Sequence, residues 1–111
     1  MPAMKPDDVR RLAAALPEVT EGAHSGHPDF RVGGRIFATL WVDEERVVLR
    51  LKPVEQAAWI EAEPDRFAAV DGAWGRRGWT SLDLWETEEE TLTAALHAAW
   101  RGVVSAAYDQ I

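Results

Sequence analysis

Apolar residues recur along this chain with two different periods, and the changes between them mark out the elements. Val9, Leu12, Ala13 and Leu16 fall at helical spacing. Pro6, Asp7 and Asp8 suit the first turn of that helix, and Pro17 ends it. Residues 19–24 read as a short strand or extended arm. The period then drops to two. "PDFRV" and "IFATLWV" alternate on either side of Gly33-Gly34, and "RVVLRL" follows across the acidic loop Asp43-Glu44-Glu45. A helix is expected from Pro53, with Val54, Ala57, Ala58 and either Trp59 or Ile60 turned inward, ending at a turn over Pro64 and Asp65. Residues 68–77 read as a loop, and a strand runs from about Gly78 to Trp85. Thr87 and Glu90 form a capping box for a last helix, whose stripe is Leu92, Ala95, Leu96, Ala99, Trp100, Val103 and Val104.

The two glycines lead from one alternating run into another, not from a strand into a helix. They therefore predict a two-residue hairpin turn with positive φ rather than a phosphate cradle. Strands joined by tight turns pair antiparallel, and so few helices cover only one side. The expectation is a single domain over residues 1–111 of the α+β class. It is a two-layer structure, an antiparallel sheet with helices packed on one face, in the order α-β(3–4)-α-β(1–2)-α.

Pairing across the hairpins assigns faces. Val32 is expected opposite Arg35, Phe30 opposite Phe37, Val42 opposite Arg46 and Phe37 opposite Leu51. Phe30, Phe37, Trp41, Val47, Leu49 and Leu51 then face the helices, with Thr80, Leu82 and Leu84 beside them. Arg31, Ile36, Leu40, Arg46, Val48 and Arg50 fall on the open face, where Trp79, Ser81, Asp83 and Trp85 join them. Arginine and tryptophan on an uncovered sheet are the composition of a binding surface.

Charge narrows the partners. The net charge of -7 repels phosphate overall, but the acid is unevenly placed. Residues 35–52 hold four basic and three acidic side chains, whereas residues 53–71 hold one basic and five acidic. The chain has no cysteine, which excludes thiolate metal sites, disulfides and cysteine nucleophiles. No signal peptide is expected in residues 1–20, no apolar run reaches membrane-spanning length, and a cytoplasmic location is expected.

Candidate chemistry is sparse. His24, His27 and Asp29 could ligate a divalent metal, with Glu21 nearby, but the spacing crosses a strand end and a proline rather than one helix face. Backbone hydrogen bonding is the simpler role for these histidines. Ser25 lacks the strand–turn–helix setting of a nucleophile. "WGRRGWT" at residues 74–80 brackets Arg76 and Arg77 with Trp74 and Trp79, a composition suited to anion contact and stacking.

Taken in order, "LPEVTEGAHSGHPDFRVGGRIFATL", "LRLKPVEQAAWIEAEPDRF", "RRGWTSLDL" and the terminal helix resemble the MmcQ/YjbR-like family of small bacterial proteins. Glu21, His27, Pro28, Phe30, Arg31, Val32, Gly34, Arg35, Phe37 and Ala38 carry the core of that resemblance, with Gly78 and Trp79 beyond. It implies a secretion-chaperone-like α+β fold and a DNA-binding function through a double-wing motif. It brings no catalytic residue, no metal and no cofactor. A non-enzymatic DNA-binding module is thus the expectation, through Arg31, Arg35, Arg46, Arg50, Arg76, Arg77 and Trp79. The alternative is a protein-interaction or homodimer surface on the same open face, centred on Ile36, Leu40 and Val48.

Overall fold

The computed structural model describes residues 4–108. Helix α1 (Pro6–Ala14) is followed by β1 (Thr20–His24), β2 (His27–Val32), β3 (Arg35–Trp41) and β4 (Arg46–Arg50). After α2 (Pro53–Ala62) come β5 (Phe67–Ala69), a one-turn helix α3 (Ala73–Arg76), β6 (Trp79–Asp83) and the long α4 (Glu89–Tyr108). The strands form one antiparallel six-stranded sheet in the order β1-β2-β3-β4-β6-β5. The architecture is α+β, as the alternation predicts. Among the described residues no helix is long and apolar enough to cross a membrane.

The hairpin turns follow from their residues. Gly33 and Gly34 have φ of 58° and 80°, a two-residue turn whose twist matches the flanking strands. Val32 pairs with Arg35 across it, as expected. Ser25 and Gly26, with φ of 50° and 80°, turn β1 into β2 in the same way, so Ser25 sits at a hairpin tip.

Beyond the first pair, the register departs from simple alternation. Arg31 pairs with Ile36 but Phe30 pairs with Ala38, which leaves Phe37 as an extra residue in β3. Such a bulge sends two consecutive side chains to one side and inverts the alternation after it. Phe37 and Ala38 both enter the core, and Leu40, expected on the open face, is 0% exposed within it. Trp41, expected in the core, emerges on the open face. The turn into β4 takes Val42 through Glu45, with Glu45 left-handed at φ 49°, so Trp41 rather than Val42 pairs with Arg46. Leu49 accordingly meets Ala38, and Phe37 does not meet Leu51.

The core lies between the sheet and α4. Leu92, Ala95, Leu96, Ala99 and Val103 present the predicted stripe, packed on Phe30, Phe37, Leu40, Val47, Leu49 and Leu82. Each of the large side chains contributes roughly 1.5–3 kcal/mol by its burial. Helix α1 lies beside α4 through Val9 and Ala13, tied by Arg11 to Glu89. Helix α2 joins the same layer through the Arg101–Glu55 pair. Its inner side is the expected one only in part: Trp59 and Ile60 turn inward as expected, but Val54 is 75% exposed, Ala57 and Ala58 are exposed too, and the buried residue is Gln56. Thr87 also differs. It is buried and its hydroxyl donates back to the Asp83 carbonyl, so it closes the turn after β6 instead of capping α4, which starts at Glu89.

Replacing Gly34 by valine should cost on the order of 1 kcal/mol or more, since a β-branched residue disfavours its left-handed backbone. Gly33→Asn creates the favoured Asn-Gly turn and should leave the melting temperature unchanged or slightly higher. Thermal melts of the two variants check both outcomes.

Candidate functional site

The face that no long helix covers carries a concave cleft of about 430 Å³. Ile36, Thr39 and Trp41 of β3, with Arg46 and Val48 of β4, make its floor. His24 closes one side, and Val70, Trp74 and Trp79 close the other. A volume of this size lies within the range typical of small-molecule sites, and apolar walls with few polar groups are their usual lining.

On the His24 side the structure is fixed by a buried charge. Asp29 is 0% exposed, although it belongs to the open face. Its carboxylate accepts Arg31 Nε–H at 2.7 Å and Nη2–H at 2.9 Å, a bidentate fork. His24 Nδ1 lies 2.7 Å from its second oxygen. An ionised carboxylate only accepts, so His24 Nδ1 carries a proton and donates it to Asp29. Gly22 pairs with Asp29 across β1, and a Cβ there would stand 3.0 Å from the carboxylate and 3.1 Å from Arg31 Nε. The missing side chain makes room for the pair. The Arg31 hydrogen bonds hold the Asp29 carboxyl below the ordinary carboxylate range; burial opposes them and His24 adds to them. Asp29 in turn raises the Arg31 guanidinium.

Trp41 ends β3 on this face. His27 stacks on it with ring centroids 3.8 Å apart, and the Arg46 guanidinium lies 4.8 Å from its ring centre. Arg46 also bonds Glu44 at 3.1 Å and Ser81 at 3.2 Å. At the far wall, Trp74 and Trp79 meet edge to face at 6.2 Å, and Arg77 lies 5.5 Å from the centre of the Trp74 ring. Gln56, buried on α2, donates to the carbonyls of Gly75 and Trp79 and so braces this wall from below. Trp74 itself is 59% exposed and overhangs the cleft.

The expected site residues do not form one basic surface. Arg31 and Arg46 are on the open face but bound to carboxylates. Arg35 lies at the Gly33-Gly34 turn. Arg50 and Arg77 line a second hollow with Lys52, and Arg76 ends α3 nearby. Trp79 is where it was expected. Trp85 is not with it: it lies exposed in a separate hollow with Met4, Lys5 and Val42. The set His24, His27 and Glu21 is dispersed. Glu21 pairs with Phe30 and bonds Arg10 at 3.3 Å on the helical side, while His24 and His27 are engaged by Asp29 and Trp41. Among the described residues no three His, Asp or Glu side chains gather as metal ligands. Leu40 is unavailable to a protein partner. Trp41, Val70 and the Asp29 pair escaped sequence reasoning; the spacing Asp29-x-Arg31, which puts both on one face of a strand, was the available signal for the last.

A family model described as YjbR matches residues 14–102. No curated protein matches the chain. A crystal structure of the Deinococcus radiodurans protein DR2400, with the family-model domain DUF419, has a similar fold. Its TM-score is 0.75 at 21% identity, over 90% of this chain and 78% of that one.

Breaking the buried pair from one side has a cost. Arg31→Ala should lower stability, because it leaves the enclosed Asp29 carboxylate without its forked partner. The folded state depresses the Asp29 pKa, so its stabilisation is complete above the unfolded value of about 3.9 and is lost as pH falls through the folded one. Denaturant titrations across the acid range should show the wild type losing stability below about pH 4 more steeply than Asp29→Asn.

Proposed function

The chain belongs to the YjbR family, and we propose that it is a non-enzymatic binding module whose ligand inserts a flat apolar group into the tryptophan cleft. The observation that carries this reading is the convergence of Trp41, Trp74 and Trp79 on the one sheet face that no long helix covers. Stacking on indole faces rewards a flat ring, and Arg46 and His24 are polar groups at its margin.

Duplex DNA is the ligand the resemblance implies, and the charge layout bears on how it would be held. Arg31 and Arg46 already answer to Asp29 and Glu44. Arg50, Arg76 and Arg77 gather at one end instead of along the face. Three phosphate contacts give a slope of log K against log salt of about -2.7, at about 0.9 each, in contrast to roughly twice that for all six arginines. Fluorescence anisotropy of a labelled duplex, from about 50 mM salt upward, should follow the shallow slope or show no binding at all. The steep slope would instead restore a continuous basic face.

The cleft is tested through its indoles. The chain has six tryptophans, each giving one indole N–H signal in a heteronuclear correlation spectrum. Titration with naphthol should move the signals of Trp41, Trp74 and Trp79 and leave those of Trp59, Trp85 and Trp100 in place. Trp74→Ala should weaken the binding by about two- to tenfold, an aromatic contact's worth. Uniform movement of every signal, or none, would remove the cleft as the site.

A further inference from the structure

Most of the arginines of this acidic chain are already spoken for. Arg10, Arg11, Arg31, Arg46, Arg66 and Arg101 each bond a carboxylate. Among the described residues, Arg50, Lys52, Arg76 and Arg77 meet no carboxylate within ion-pair distance, and the fold brings these two sequence-local pairs to one place, Arg76 by way of its neighbour Arg77. Arg50, Lys52 and Arg77 line one hollow of about 190 Å³, closed at its back by Gly102 and Val103 of α4. Unpaired cations converging on a hollow repel one another until an anion enters, and in a chain of net charge -7 this is where an anion is least opposed.

This hollow is not separate from the tryptophan cleft. Arg50 is the cross-strand partner of Trp79, and Arg77 lies over Trp74. Trp74 and Trp79 line the cleft, whereas Arg50 and Arg77 line the hollow. The two recesses therefore share a wall built of two arginine–tryptophan pairs. A flat ring stacked on the tryptophans has its substituents directed at guanidinium groups, whose forked donors match phosphate oxygens.

We propose that cleft and hollow form one nucleotide site, the base lying against Trp74 and Trp79 and the phosphate held by Arg50 and Arg77 with Lys52. The proposal rests on the cleft reading and adds the anion to it. Base and phosphate occur together both in free nucleotides and in single strands, and the same geometry serves either. A paired base in a duplex could not enter the cleft without leaving its stack, which separates this site from duplex recognition.

Calorimetric titrations of the full chain with adenosine, adenosine monophosphate, inorganic phosphate and a short single-stranded oligodeoxyadenylate test the assignment. Adenosine monophosphate should bind about tenfold or more tightly than adenosine, the effect of adding a charge-assisted contact. In the double variant Arg50→Gln, Arg77→Gln, its advantage over adenosine should be lost. Both side chains are exposed, and a thermal melt confirms that the variant is folded. Inorganic phosphate should compete with the nucleotide but not with naphthol. An oligomer tighter than the mononucleotide supports the site as one for strands; equal or weaker oligomer binding supports it as one for free nucleotides. Adenosine monophosphate no tighter than adenosine, or unaffected by the double variant, overturns the proposal. If naphthol binds and the nucleotide does not, the cleft stands and the nucleotide assignment falls; if neither binds, the cleft reading fails with it.

Discussion

One extra residue in β3 decides what the open face contains. Phe37 has no partner on β2, and the bulge it makes lets Phe37 and Ala38 both sink into the core beneath α4. From that point the alternation is inverted. Leu40 becomes core and Trp41 becomes surface, between His27 and Arg46. A regular strand would have buried the indole against the helices and left an aliphatic side chain outside. The cleft therefore depends on a backbone irregularity whose cost is met by a second aromatic side chain in the core.

Two buried polar devices hold the walls in place around that floor. On one side Asp29 lies within the sheet surface, satisfied by the Arg31 fork and His24, over the gap that Gly22 leaves. A buried carboxylate, even fully partnered, is poor as a source of net stability but strict in geometry, because any other arrangement leaves it unpaired. This fixes the β1–β2 hairpin and with it the His24 ring. On the other side Gln56 reaches from α2 to the carbonyls of Gly75 in α3 and Trp79 in β6, setting Trp74 and Trp79. Each wall is thus specified by hydrogen bonds, while the floor is specified by packing.

The fold was legible because its signals are local: alternation, glycine turns, prolines at helix starts and the stripe of α4. Val32 opposite Arg35, the inward set Thr80, Leu82 and Leu84, and the turn at Gly33-Gly34 all follow from period and turn chemistry. What was not legible depends on tertiary context. The bulge has no composition of its own, so Trp41 and Leu40 came out exchanged. Val54 reads as inward by its hydrophobicity, but the buried residue of α2 is Gln56, because two carbonyls there need a donor. The three residues of β5 are too few to show a period and are held by β6. Arginines could be placed on faces from the sequence; which of them a carboxylate already holds could not, since Asp29 and Glu44 reach them through side-chain geometry.

The direction of Trp41 is the point on which the open face stands or falls. Nuclear Overhauser measurements on isotope-labelled protein read it directly. The account predicts cross-peaks from the Trp41 indole to the His27 ring and the Arg46 side chain, with the Leu40 methyls reporting instead on core residues of α4 and β4. Cross-peaks from the Trp41 indole to Leu92 or Leu96, with Leu40 showing none to the core, would mean a regular strand, no bulge at Phe37 and no tryptophan cleft.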